Sequence, residues 1–408
     1  PVENSALMPW LAMTAFVHSI MVQARRGMFR MWNMVLIVVA FTLAQLGMFI
    51  NRGGPVPSVH SFAQEPWLGS YFLAFIGATL IFSLYLLLQR GERLKGQNEL
   101  DSVVSRESGF LINNLILLAA AFAVFIGTIF PIISEAIRGV KVSVGAPFFN
   151  KVTTPLWLAL LFLMGVGPLI PWRKASMNVL RKNFTYPLIL SMVTALALLS
   201  FGLRGPYASA AYALSVFVVG TVLLEFYRGT RARKGMTGAG TLKSLYTLVR
   251  RNNRRYGGLI IHIGIVVIAI GVTSSFAFNS EREAALNRGE SLSINGYTLR
   301  YEGIATNLKR DWVAVAAQFS ILNGNEKVGE LKPERRFYRN QVDPVGKVAI
   351  HSTLKEDLYL ILAGFEENGD SVTVKAIVNP LIAWIWIGGG IITAGALLTL
   401  LPDRRSSN

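Results

Sequence analysis

Long apolar runs alternate with short basic connectors along most of this chain. A bilayer-spanning helix needs roughly 17–25 apolar residues. Runs of that length lie at about 6–24, 34–50, 67–89, 110–134, 155–172, 184–202, 207–227, 257–278 and 378–401. Pro131, Pro168, Pro171 and Pro187 fall in or beside these runs and predict kinks in the helices. Between about 279 and 377 the pattern changes to short alternating segments. Asn295-Gly296 links Ser291–Ile294 to Tyr297–Glu302, and Asn323-Gly324 links Trp312–Leu322 to Lys327–Leu331. Such pairs between alternating segments predict hairpins. Asp357–Phe365 and Ser371–Ile377 flank a Glu-Asn-Gly-Asp turn and predict two more strands.

The pattern predicts a polytopic α-helical membrane protein with about nine transmembrane helices and one external, mostly β domain. Residues 1–278 would hold eight helices and an external loop around 51–66. Residues 279–377 would form a periplasmic β-rich sandwich or barrel. Residues 378–408 would supply the last span and a cytoplasmic tail.

Composition agrees with the pattern. Of 408 residues, 52% are hydrophobic and 15% charged, against about 25% charged in soluble domains. Mean hydropathy is +0.45. These values exclude a disordered chain and an ordinary soluble enzyme, and the absence of Cys excludes a disulfide scaffold.

The formal charge of +17 would suggest nucleic acid in a soluble protein, but here the basic residues follow the loops. Alternate connectors carry Arg25, Arg26 and Arg30, then Arg90, Arg93, Lys95 and Arg106, then Arg173, Lys174, Arg181 and Lys182, then a basic run from Arg228 to Arg255. The intervening loops carry only Arg52, Arg138, Lys141, Lys151 and Arg204. Positive residues stay in the cytoplasm, which predicts an external N-terminus and an internal C-terminus. The charge therefore marks topology and contact with anionic membrane lipid, and no nucleic-acid partner is expected.

Only four histidines occur. His18 lies in the first span, seven residues before Arg25; His262 lies in the eighth, seven residues after Arg255. At about 1.5 Å per residue both lie roughly 10 Å from the same membrane edge. An ionisable group inside a span points to function. Two imidazoles at one depth on different helices suit a bis-His b-type haem in an apolar pocket. Gly257, Gly258 and Gly264 would let the ring approach the helix backbone. Interhelical hydrogen bonding and a proton path are the alternatives, and zinc lacks accompanying ligands. His60 follows Gly53-Gly54-Pro55-Val56-Pro57 in the external loop and could ligate iron at the membrane surface or be merely solvated. His351 reads as a structural or solvated residue on a strand edge. Gln45, Asn113 and Asn114 read as residues that stitch helices together, and the 388–390 glycine triplet as a helix-packing surface.

Several motifs together resemble one family. Pro1–Leu11 followed by Thr14–Ser19 resembles the segment just after the tryptophan-rich WWD motif of the CcmF haem lyase family. Ser58–Ala63, Arg254–Gly264, Lys332–Tyr338 and Glu356–Tyr359 resemble its later motifs, in the same order. The resemblance implies a haem lyase of bacterial cytochrome c maturation in the inner membrane. His18 and His262 would be axial ligands of a resident haem b. His60 would be a catalytic-site ligand of a second haem, the substrate. Haem would arrive on a membrane-anchored haem chaperone. It would be reduced through the resident haem and joined to the CXXCH thiols of apocytochrome c, presented by thiol-delivery proteins. The WWD core and the spans before it are not in the sequence, so the chain reads as the back part of a longer protein with part of the active site. A b-type electron-transfer subunit, a transporter and an assembly scaffold without haem are the competing readings. The first would normally need two intramembrane His pairs, and inverted repeats expected of the second are not evident.

Overall fold

A computed structural model describes residues 2–52, 66–96, 100–203, 205–324, 326–339 and 343–403. The chain divides into two compact units, Pro1–Thr194 with Val216–Arg228, and Ala195–Ser215 with Gly229–Asn408. Among the described residues, nine helices are long and apolar enough to cross a membrane. This is a polytopic helical membrane protein carrying a β-sandwich.

The first unit is helical. It contains α1 (Val2–Arg26), α2 (Arg30–Arg52), α3 (Pro66–Arg90), α4 (Arg106–Arg138) and α5 (Ala146–Val166), with parts of α6 (Met177–Ser200) and α7 (Pro206–Thr237). Leu11 and Ala15 of α1, Leu36 of α2, and Leu117, Ala120 and Ala121 of α4 form one buried cluster. Gly47 of α2 faces Ser5 of α1, where a Cβ would lie 2.9 Å from the serine Cβ. Asn4 donates to Thr128 of α4 at 2.9 Å. A second cluster joins Leu169, Ile170 and Phe184 to Phe217 of α7.

Helix limits depart from the apolar runs where caps and prolines decide them. Pro187 and Pro131 lie within α6 and α4, as the pattern predicts. Pro168 and Pro171 do not kink a helix. α5 has ended by then: it begins at Ala146, with Pro147 in its first turn, and gives way at Gly167 to a single 3₁₀ turn. Proline fits the first turn of a helix, and further along it removes one backbone hydrogen bond, which favours a break or a kink. α7 runs ten residues beyond its apolar segment, to Thr237, and stops where Gly238 adopts a left-handed φ of 69°. A helix of good formers such as Arg, Lys and Ala needs no membrane to extend. The short α8 (Thr241–Arg251), absent from the sequence reading, is amphipathic, so it shows no continuous apolar run.

In the second unit α9 (Asn253–Ala277) pairs with α10 (Ala383–Leu400). Glycines make the contact. A Cβ on Gly257 would lie 2.9 Å from the Gly395 carbonyl oxygen, and one on Gly264 would lie 2.8 Å from that of Gly388. Small residues seven apart form one stripe on each helix and let the backbones touch. Of the 388–390 triplet only Gly388 is in such a contact; Gly389 and Gly390 have open space.

The helix pair continues into a strand pair. β1 (Ser280–Asn287) follows α9, β10 (Ser371–Pro380) precedes α10, and the two are antiparallel neighbours. One sheet has the order β1-β10-β9-β8, with β9 at Glu356–Phe365 and β8 at Ala349–Ser352. The other has the order β2-β3-β4-β6-β7, with β5 also paired to β4. Its strands are β2 (Ser291–Ile294), β3 (Tyr297–Leu308), β4 (Trp312–Asn323), β5 (Glu326–Leu331), β6 (Glu334–Tyr338) and β7 (Val345–Lys347). Alternate residues of both sheets fill one core: Leu299, Tyr301, Phe319 and Ile321 from one, Leu358, Leu360, Val374 and Ala376 from the other. Strand β10 runs to Pro380, three residues into the segment read as the last span. Val378 is buried in the sandwich core, and the strand alternation persists through it. Leu381, at φ 56°, then turns the chain into α10. Its amide donates to the Lys355 carbonyl, and the Trp384 indole donates to that of Leu354 at 3.2 Å.

Candidate functional site

His18 lies on α1, two turns before its basic end at Arg25 and Arg26. Its Nδ1 is 2.9 Å from the carbonyl oxygen of Thr14, one turn earlier. A carbonyl only accepts, so Nδ1 carries the proton and Nε2 keeps its lone pair. Neutral imidazole held by an Nδ1–H to a backbone carbonyl is the form that ligates a metal through Nε2. The Phe110 ring of α4 lies 5.8 Å from the imidazole, tilted by 36°. Asn114, fully buried one turn further along α4, has its Nδ2 3.1 Å from the Ala15 carbonyl and 3.3 Å from that of Phe110, once its amide is turned to face them. It binds α4 to α1 beside His18, the stitching role its sequence position suggests. Gln45 of α2 likewise reaches Thr79 of α3.

His262 lies on α9 in the second unit and is half-buried. The structure corrects the role given to its neighbouring glycines. Gly257 and Gly264 are filled by the α10 backbone and have no room for a macrocycle. Gly258, one turn before His262, has nothing within 4 Å of where its Cβ would be. Positions four apart share a face, so bare backbone lies next to the imidazole. Each imidazole, taken by itself, suits ligation of a haem iron: that of His18 is neutral and fixed in tautomer, and the helix face beside His262 is uncluttered. Among the described residues, no group of three or more His, Asp or Glu could hold a metal ion.

His60 lies outside the described residues. His351 is on β8, the edge strand of its sheet, and packs edge-on against Tyr297 at 6.2 Å. Its surroundings are structural. Asp357, cross-strand from Ser352, is buried, and its Oδ1 has no hydrogen-bond partner among the described residues. Burial pushes its carboxyl up, against the downward pull of the Ser352 hydroxyl, the Thr353 amide and the His351 charge. A carboxyl raised on folding gives stability that is complete below its unfolded value near 4 and lost as pH rises through the folded one. Asp357→Asn should therefore increase amide-exchange protection of β8 and β9 at pH 7. The gain should vanish near pH 4, where the wild-type carboxyl protonates. An equal gain at both pH values would show that charge is not the cause.

The sandwich has been met before: residues 277–380 match the family model described as the CcmF C-terminal β-sandwich. The match to relatives takes in the helices as well. The chain is 33% identical over 406 residues to the cytochrome c-type biogenesis protein CcmF of Pseudomonas aeruginosa, covering 99% of this chain and 60% of that protein. Over nearly its whole length the chain is similar to CcmF proteins. The CcmF of Haemophilus influenzae is 32% identical, with 99% and 61% covered. A solved structure titled Cytochrome c Heme Lyase CcmF superposes with a TM-score of 0.76 at 29% identity, over 98% of this chain and 60% of that one. The chain thus spans about three-fifths of the length of the CcmF proteins it matches.

Sequence reasoning passed over one group of residues here. Arg106, Glu107 and Trp172 converge at the basic end of α1, near His18. Only Glu107 gives a local signal, as an acidic residue in the first turn of α4, and helix-dipole pairing accounts for it.

Proposed function

We propose that this chain is the resident-haem part of a haem lyase acting in cytochrome c maturation. Continuous similarity over 99% of the chain to cytochrome c biogenesis proteins carries the reading. His18 and His262 are the residues that would hold a resident haem b, each offering one imidazole nitrogen to its iron. Their equal distances from the basic ends of their helices and the fixed tautomer of His18 support the pairing. His60, in the external loop, is an axial ligand of the substrate haem. The chain lies in the bacterial inner membrane with its basic loops in the cytoplasm and its sandwich in the periplasm. Its partners are a membrane haem chaperone, apocytochrome c and the proteins that deliver its thiols.

Held there, a haem would supply one-electron reduction for the substrate haem. The chain's own residues do the rest. Thr14 holds the His18 imidazole neutral and aimed, and Asn114 fixes α1 against α4. Vinyl addition needs position and a ferrous iron, and neither calls for a protein nucleophile.

A reduced-minus-oxidised spectrum of the purified chain tests this. A b-type spectrum at about one haem per chain is expected for a bis-His site. A folded but colourless protein would sink the proposal.

A further inference from the structure

The basic end of α1 is closed by a loop that is pinned along its backbone. The Pro168 and Ile170 carbonyls accept from the Arg106 guanidinium at 2.7 and 2.8 Å. The Leu169 carbonyl accepts from Asn183 at 2.7 Å, and that of Pro171 from the Arg106 amide at 3.1 Å. Two residues on, Arg173 is held at φ 69°, a left-handed conformation that costs a non-glycine residue of order 1 kcal/mol. Glu107 holds it there: both carboxylate oxygens accept from the Arg173 amide, at 2.9 and 3.1 Å. The same carboxylate, only 2% exposed, pairs with Arg26 of α1 at 2.9 Å.

Trp172, between these anchors, is what the strained loop presents. Its ring is covered on one side by Arg106 at 5.2 Å and meets Phe110 at 6.1 Å. Phe110 in turn meets the His18 imidazole at 5.8 Å. Strain that is over-determined by a buried carboxylate marks a placement with a purpose.

We infer that Trp172 and Phe110 form an aromatic plug, positioned by Arg106 and Glu107, that seals His18 from water at the basic end of α1. In the proposed haem lyase the plug keeps the environment of one resident-haem ligand dry. It sets the local dielectric on which the redox poise of a buried iron depends. Arg106 and Glu107 are positioning residues: they touch the loop and the tryptophan, not the imidazole.

The sequence contains no Cys, so an introduced one can be read by labelling alone, without haem. In the full chain carrying His18→Cys, the single thiol reports water access through its rate of reaction with a water-soluble maleimide. Labelling should be slow with Trp172 present and at least about tenfold faster with Trp172→Ala, the change expected when opening becomes easier by 1.4 kcal/mol. Trp172→Phe should keep it slow. Ala120→Cys, fully buried on α4, is the control for general loosening and should stay slow throughout. Equal rates at position 18 with and without Trp172 would overturn the plug. So would a parallel rise at position 120, which would show that the ring only supports the fold. A wild-type chain without haem would overturn the proposed function and leave this result standing.

Discussion

Alanine in place of either His18 or His262 should abolish the b-type absorbance of the purified chain. A low-spin bis-His iron needs both axial nitrogens, so losing either removes the spectrum rather than halving it. The fold should survive. Both side chains are only half-buried, and the His18 to Thr14 contact is one local bond. Such a bond is worth about 1 kcal/mol. Circular dichroism should therefore match wild type while pyridine-haemochrome content falls to background. His262→Met should hold haem with a raised midpoint potential, because thioether ligation favours the ferrous state. Full haem content in either alanine variant would remove that residue from the ligand set.

Gly264→Leu should break the α9–α10 pair. A Cβ at this position would come within 2.8 Å of the Gly388 carbonyl oxygen and 2.9 Å of the Ile392 amide nitrogen. Both are backbone atoms of a helix, so no side chain can turn aside. The helices must part, and lipid gives no hydrophobic drive to hold them together. The cost should exceed about 3 kcal/mol, at or above the upper range for overpacking. Because β1 and β10 extend from this pair, their amide exchange should rise with it. Gly389→Ala, one residue from the contact and facing open space, should leave exchange unchanged or slightly slower, since alanine favours helix. Equal exchange in the two variants would show that the glycine stripe does not carry the pairing.

Chain-local features were readable without coordinates. The nine apolar stretches became helices because apolar length alone selects a spanning helix. The hairpin at Asn295-Gly296 formed where a two-residue turn demands such a pair, whereas Asn323 pairs with Glu326 as the last residue of β4, so the second turn starts one residue later, at Gly324. Strands β6 and β7 were not readable, and of β8 only an edge position at His351 was. They have three to five residues each, too few for a period to emerge. β1 has eight residues but is largely exposed, so one face carries little apolar signal. α8 escaped because an amphipathic helix has no apolar run to find.

The same division runs through the candidate site. Four histidines in 408 residues, two at equal distance from basic helix ends, are legible because depth in a membrane is a linear function of helical position. Which glycines near His262 are occupied was not legible. Gly257, Gly258 and Gly264 are chemically identical, and only the approach of α10, more than a hundred residues later, fills two and leaves one bare. Nor could the sequence pair Glu107 with the Arg173 amide or Arg106 with Trp172: each partner lies over sixty residues away and contributes a backbone group or a ring face without a pattern. The sequence by itself determined the spans, the strand-rich domain and the identity of the scarce imidazoles, because those follow from local period and composition. Tertiary structure alone decided the glycine stripe and the pinned tryptophan. These depend on which distant backbone arrives, and distance along the chain leaves no trace in local pattern.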